Sequence, residues 1–207
     1  FRDPPVWQEL KDTVLPELLA RRAADGTPLR AWVAGCSTGE EAYSLAMVFG
    51  EVAESLPGGG DLSLQIFATD LNADAVAAAR RGHYAAKIAA EVSAERLEKF
   101  FSPHEGGYLI DKHLRERVLF AQHDVILDPP FTRLDVLSCR NLMIYFNASL
   151  QRRLLPLFHY SLRPGGVLLL GGSETVGRQQ ALFAPLRPGS RLYWRSDNGA
   201  ATAAVDF

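Results

Sequence analysis

The sequence has little cysteine: two residues in 207, Cys36 and Cys139. That is too few for a disulfide scaffold and suits a reducing compartment, so a cytoplasmic protein is expected. It has no surplus of positive charge, since 22 Lys and Arg stand against 24 Asp and Glu. A nucleic-acid binder normally carries a basic excess, so that partner class is set aside. No apolar run reaches the roughly 18–20 residues of a membrane span, and no secretory leader opens the chain. There is no Gly-Lys-Ser/Thr phosphate loop, no G-x-G-x-x-G fingerprint and no nucleophile elbow. The five histidines, at 83, 104, 113, 123 and 159, lack metal-ligand spacing, so no metal is expected. Phe1 rather than Met opens the sequence, which reads as a piece whose N-terminal neighbour is missing.

What is present is 47% hydrophobic residues arranged as short apolar runs alternating with helical periods. That rhythm predicts an α/β protein with a parallel sheet in one domain of ordinary size. Helical spacing over 6–23 predicts a helix, which Pro16 should kink or interrupt. Strands are predicted at 29–34, 62–69, 118–125, 134–138 and 167–170, with helices at 40–55, 72–81, 93–101 and 149–162. Residues 183–186 and 191–194 read as closing antiparallel strands. The stretch 82–115 breaks the rhythm and is a candidate subdomain, with a tight loop at 103–107 and a short strand at 108–110. From Ser196 onward the chain is small and polar and reads as a disordered tail.

The chemistry concentrates at strand ends. The first strand runs into Gly35-Cys36-Ser37-Thr38-Gly39-Glu40-Glu41 and then a helix. In open α/β sheets ligands sit beyond the carboxyl ends of strands, and glycine lets them approach the backbone. Glu40 and Glu41 in the first helical turn would repel a pyrophosphate. They suit a cofactor carrying positive charge, such as S-adenosylmethionine, or they simply complement the helix dipole. Asp70 ends the second strand, where an acidic residue commonly accepts from ribose hydroxyls; capping the next helix is the alternative. Asp124 ends the third in the same way. It faces an adenine amino group or caps a turn before Pro129-Pro130. Cys139-Arg140-Asn141 ends the fourth, and a polar pair between apolar runs there suggests a site lining or a buried salt bridge. Cys36 and Cys139 read as small packing groups rather than nucleophiles.

Taken in order, Phe1-Arg2-Asp3-Pro4, residues 34–44 (AGCSTGEEAYS), Ala68-Thr69-Asp70, residues 139–146 (CRNLMIYF), residues 162–166 (LRPGG) and Gly172-Ser173-Glu174 resemble the CheR family of chemotaxis-receptor glutamate methyltransferases. The likeness spans 1–195, and its style is similar to the CheR part of CheB–CheR fusion proteins, which implies a CheB-type methylesterase domain in the same chain. The resemblance implies a class I S-adenosylmethionine-dependent fold: a mostly parallel seven-stranded sheet with an inserted antiparallel β-subdomain, mapped to 83–117. It also implies a helical domain upstream of Phe1 that contributes to the cofactor site.

By motif match, the resemblance implies that Arg2, Gly35, Glu40, Asp70, Asp124, Val125, Arg140 and Asn141 contact the cofactor. Arg2 and Tyr145 match residues that orient the substrate. Asp124 stands where relatives often have Asn, which changes its hydrogen-bond polarity. The implied reaction moves a methyl group from S-adenosylmethionine to a glutamate carboxylate on the cytoplasmic helices of a chemoreceptor-like protein, leaving S-adenosylhomocysteine. A monomeric catalytic domain is expected. The alternatives are a small-molecule O-methyltransferase and a non-catalytic module that binds S-adenosylmethionine. In some family members the β-subdomain tethers a receptor pentapeptide. The loop 102–107 is shorter here, so no such tether is expected.

Overall fold

The computed structural model describes residues 1, 3–177 and 179–197. Arg2, Arg178 and most of the expected tail, 198–207, lie outside the described residues. A seven-stranded sheet forms the centre, in the order β6-β2-β1-β7-β8-β10-β9. Its strands are β1 (Leu29–Ala34), β2 (Leu64–Asp70), β6 (Val118–Gln122), β7 (Leu134–Cys139), β8 (Leu162–Leu170), β9 (Phe183–Pro185) and β10 (Leu192–Arg195). The first five are mutually parallel, and β10 runs antiparallel to both β8 and β9. The expected sheet is thus observed.

Alternation along the strands divides the core in two. Ala31 and Val33 of β1 enter one cluster with Val136, Val167 and Leu169, while Trp32 and Ala34 enter the other with Leu137, Leu168 and Leu170. Both faces of the sheet are therefore covered, as a parallel sheet requires. The first face carries α1 (Pro4–Glu9), α2 (Leu15–Asp25) and α3 (Glu40–Ser55); the second carries α7 (Ala148–Ser161). α4 (Ala73–Arg81) follows β2, with the Asn72 carboxamide accepting from the Asp74 and Ala75 N–H groups.

The predicted kink at Pro16 takes the form of a π-helical turn, Leu10–Val14, between α1 and α2. Pro16 has no N–H to donate to the residue four back. The chain widens just before it, and Leu15 N–H bonds to Leu10, five residues back. β8 also departs from expectation. It begins at Leu162 and runs through Pro164-Gly165-Gly166, with a register shift opposite Leu134 and Val136. A Cβ on Gly166 would lie 3.1 Å from the Leu134 carbonyl, so only glycine lets the strands meet there. β6 stops at Gln122, short of the predicted 125.

The irregular stretch contains a three-stranded antiparallel sheet, β3 (His83–Ala85), β5 (Gly107–Ile110) and β4 (Phe101–His104), in the order β3-β5-β4. β3 and β4 were not legible in the sequence, and the tight loop shrinks to Glu105-Gly106. Between β3 and β4 lie a 3-10 turn, Ala86–Ala90, and α5 (Ala94–Phe100), capped by Ser93. α6 (Lys112–Glu116) leads from β5 back to β6.

Candidate active site

The chain builds outward from β1 through β2 to β6, then returns to place β7 and β8 on the other side. The order reverses between β1 and β7, and that crevice is where an open α/β sheet binds ligands. A cavity of about 350 Å³ lies there. Gly35–Thr38 from the loop after β1, Glu40 and Glu41 from α3, and Arg140 and Asn141 after β7 line it. Trp7 of α1 lines it too, as do Tyr84, Lys87, Ile88 and Glu91 from the inserted segment.

Short hydrogen bonds fix the glycine loop. Gly35 and Cys36 N–H groups both donate to the Thr69 carbonyl at 2.8 Å, and Gly39 N–H donates to the Cys36 carbonyl at 2.9 Å. Gly39 has φ +94°, and a Cβ there would lie 3.0 Å from the Ala79 side chain. Glycine is required on both counts, because α3 starts tightly against α4. The Thr38 hydroxyl reaches both Glu40 carboxylate oxygens at 2.8 Å. Asp70 accepts from Ser37 N–H at 2.8 Å and from Asn72 N–H at 2.9 Å. One oxygen of this carboxylate braces the loop and the other the start of α4. A carboxylate has about four acceptor positions, so both oxygens keep capacity for a ligand.

Arg140 is the buried cation of the cavity. Its side chain is 3% exposed and pairs with Asp3 and, at 3.2 Å, with Glu41. The Trp7 ring covers it at 5.4 Å. Glu41 also accepts from the Ser138 hydroxyl at 2.5 Å. Burial pushes the Glu41 carboxyl above the usual carboxylate range, and the Arg140 guanidinium partly opposes that shift. Asn141 has φ +57° and is held by Glu174. The Glu174 carboxylate accepts from the N–H groups of Gly171, Asn141 and Met143 at 2.8–2.9 Å.

Of the site residues expected from the sequence, the cavity gathers Gly35, Glu40, Arg140 and Asn141. Asp70 stands beside it behind Ser37. Asp124 caps a turn: it accepts from Ile126 N–H at 2.8 Å, and its own N–H donates to Asp128 at 2.7 Å. Val125 packs against the second core cluster. Tyr145 lies in a 3-10 turn that begins three residues after Arg140, is 78% exposed and is not among the residues that line the cavity. Arg2 lies outside the described residues. Cys36 and Cys139 are buried packing groups, and burial pushes the Cys36 thiol up to about 12.

Sequence reasoning missed Trp7, Tyr84, Lys87, Ile88 and Glu91. The inserted segment has no helix or strand period long enough to read, so its role as a cavity wall was hidden. The lining sets Glu40 and Glu91 against Lys87 and Arg140. It fits a ligand that carries both signs of charge.

Among the described residues no helix is long and apolar enough to cross a membrane. No group of three or more His, Cys, Asp or Glu there is placed to hold a metal ion.

Comparison with known proteins agrees with this geometry. Residues 1–189 match the family described as "CheR methyltransferase, SAM binding domain". The chain is 43% identical over 201 residues to an uncharacterized 104.1 kDa protein of Rhodobacter capsulatus, covering 97% of this chain and 21% of that one. It is 37% identical over 180 residues to chemotaxis protein methyltransferase Cher2 of Pseudomonas putida, covering 85% of this chain and 64% of that one. Against chemotaxis protein methyltransferase 1 of Pseudomonas aeruginosa the identity is 38%, with 85% and 65% covered. The chain thus spans less than two thirds of these relatives' own length. By the match over 1–189, with which the mostly parallel seven-stranded sheet agrees, this chain belongs to the CheR methyltransferase family.

Proposed function

We propose that the chain is the catalytic part of a protein-glutamate O-methyltransferase. It would take the methyl group of S-adenosylmethionine to the side-chain carboxylate of a glutamate in a chemoreceptor-type signalling protein. The products would be a glutamyl methyl ester and S-adenosylhomocysteine. The observation that carries this reading is the cavity at the β1/β7 reversal, where acidic Glu40 and basic Arg140 face one ligand space. S-adenosylmethionine matches that lining, since it carries an ammonium, a sulfonium and a carboxylate. Gly35, Glu40, Arg140 and Asn141 would hold it, with Asp70 accepting from the ribose. When bound, it supplies an activated methyl group.

The chain's own work is then binding, positioning and drying. A glutamate side chain of pKa about 4.3 is ionised at neutral pH, so the attacking group needs no general base. The rate must come from alignment and from stripping water off that carboxylate. Arg2 would hold the incoming carboxylate, and the Tyr145 hydroxyl would donate to it. The exposure of Tyr145 suits a residue that meets a macromolecule at the mouth of the site. The remaining cofactor contacts implied for Asp124 and Val125 would come from the turn that Asp124 caps.

Several finer features belong to the same reading. The protein works in the cytoplasm on helices of a chemoreceptor-like partner, as a monomeric catalytic domain without a metal. It does not tether a receptor pentapeptide, because the β4–β5 turn is only Glu105-Gly106. Micromolar binding of such a peptide in calorimetry would contradict that. A CheB-type methylesterase domain in the same chain is part of this reading; the 104.1 kDa Rhodobacter capsulatus relative, of which this chain covers 21%, is long enough to hold further domains. The reaction is tested by following radiolabel from S-adenosylmethionine into receptor cytoplasmic fragments. Cofactor binding without transfer to any fragment would favour a non-catalytic module.

A further inference from the structure

The cavity's buried cation is held in an unequal way. Arg140 Nη2 pairs with Asp3, which is 56% exposed and sits in a left-handed conformation at the start of α1. Nη1 pairs with Glu41, which is largely buried on the first turn of α3. The other Glu41 oxygen accepts from Ser138, a fully buried residue on β7, the strand that leads directly into Arg140. Glu41 is thus fixed between a helix and the strand that delivers the guanidinium, while the Asp3 carboxylate has Arg140 as its one side-chain partner among the described residues. With both terminal nitrogens engaged and the Trp7 ring on its face, Arg140 has one buried donor, Nε, that finds no partner among the described residues. The Nε groups of Arg30, Arg115 and Arg195 are likewise buried without a partner among the described residues, so it is the two-sided hold on Glu41, and not Nε, that sets this cluster apart.

We propose that Glu41 is a positioning residue, which with Ser138 holds the Arg140 guanidinium in the cavity wall where it meets the bound ligand. This rests on the reading of the cavity as a site for S-adenosylmethionine. Glu41 is then not a mere complement to the dipole of α3. A dipole role would be satisfied by any acidic side chain in the first turn, and Glu40 already provides one. Glu41 instead spends both oxygens on named partners, one of which lines the cavity with it.

The test is calorimetric titration of the full-length protein with S-adenosylhomocysteine. Glu41→Ala should weaken binding by about ten-fold, the scale of a lost charge-assisted hydrogen bond. Glu41→Gln should recover the greater part of that loss. Its amide oxygen still accepts from Nη1, and its NH2 group donates to the Ser138 hydroxyl. In an Arg140→Gln background, Glu41→Ala should change affinity by less than about two-fold, because the group it aims is gone. Ser138→Ala, which removes the second anchor and leaves every charge in place, should weaken binding in the same direction. It carries the test if Glu41→Ala does not fold. Wild-type affinity in Glu41→Ala, or an undiminished loss in the Arg140→Gln background, would overturn the proposal. So would failure of Glu41→Gln to improve on Glu41→Ala at equal melting temperature. If the wild-type protein itself does not bind S-adenosylhomocysteine, the cofactor reading falls, and the proposal falls with it.

Discussion

The Tyr84 hydroxyl donates a 2.8 Å hydrogen bond to the Thr38 carbonyl. This single bond joins β3 of the inserted sheet to the glycine loop after β1. Tyr84 is buried, and its ring also meets Phe1 and Tyr43 edge-on, at 6.0 and 6.3 Å. The insert is therefore a wall of the cavity and not an appendage beside it. Tyr84→Phe keeps the ring contacts and removes only the donor. We predict a loss of about 1 kcal/mol of stability, with a weaker affinity for S-adenosylmethionine as the loop loosens. Urea unfolding and calorimetry check the two effects separately.

Glu174 gives a second prediction. Its carboxylate accepts three backbone N–H groups from two loops, those after β7 and β8. An amide can accept on only one of its two sides, so Glu174→Gln must turn an NH2 group toward at least one of these donors. The expected cost is about 1–3 kcal/mol, for a buried donor left without an acceptor. It should come with weaker cofactor binding, because the loop that carries Asn141 loses at least one of its two anchors, Asn141 N–H or Met143 N–H. Equal urea midpoints for wild type and variant would contradict this role.

These two residues show what the sequence made legible. The seven-stranded sheet was readable because its strands are short apolar runs between helical periods, and the glycine loop was readable from its place after the first strand. Gly172-Ser173-Glu174 was visible as part of a family pattern, but its task was not. The three donors it serves come from backbone at 141, 143 and 171, and backbone groups leave no mark in composition. Tyr84 was hidden for another reason. It sits on a three-residue strand whose partner, β5, is more than 20 positions away. No local period records such a pairing. Asp124 was ambiguous because a turn cap and a ligand contact ask for the same side chain at the same place.

The pH dependence of stability follows from Glu41. Burial raises its folded-state pKa above the ordinary carboxylate value, against the pull of Arg140. Between those two values the folded chain binds more protons than the unfolded one. Stability from this group is therefore fully present below the ordinary carboxylate range and is lost as pH rises through the folded value. Asp135, also raised by burial, contributes in the same sense. Glu41→Gln should flatten the part of the profile due to residue 41 and leave the rest. Urea unfolding of both proteins from mildly acid to neutral pH measures the difference. A profile unchanged by the substitution would contradict it.

The thiols make a simple check on the core. Burial pushes Cys36 up to about 12 and Cys139 well above its usual value. Only a thiolate reacts readily, so neither should be alkylated at neutral pH in the folded protein. Both should react at once in denaturant. Fast labelling of the native protein would show that the loop after β1 opens far more than its hydrogen bonds imply.

The central claim is that the cavity between β1 and β7 serves methyl transfer to a glutamate carboxylate. The most direct measurement is to incubate the full-length protein with S-adenosylmethionine and a chemoreceptor cytoplasmic fragment, then locate any added methyl group by peptide mass spectrometry before and after mild base. The account predicts methyl on glutamate side chains that mild base removes, as an ester requires. Base-stable methyl on another residue type, or an unmodified fragment in the presence of bound cofactor, would contradict it.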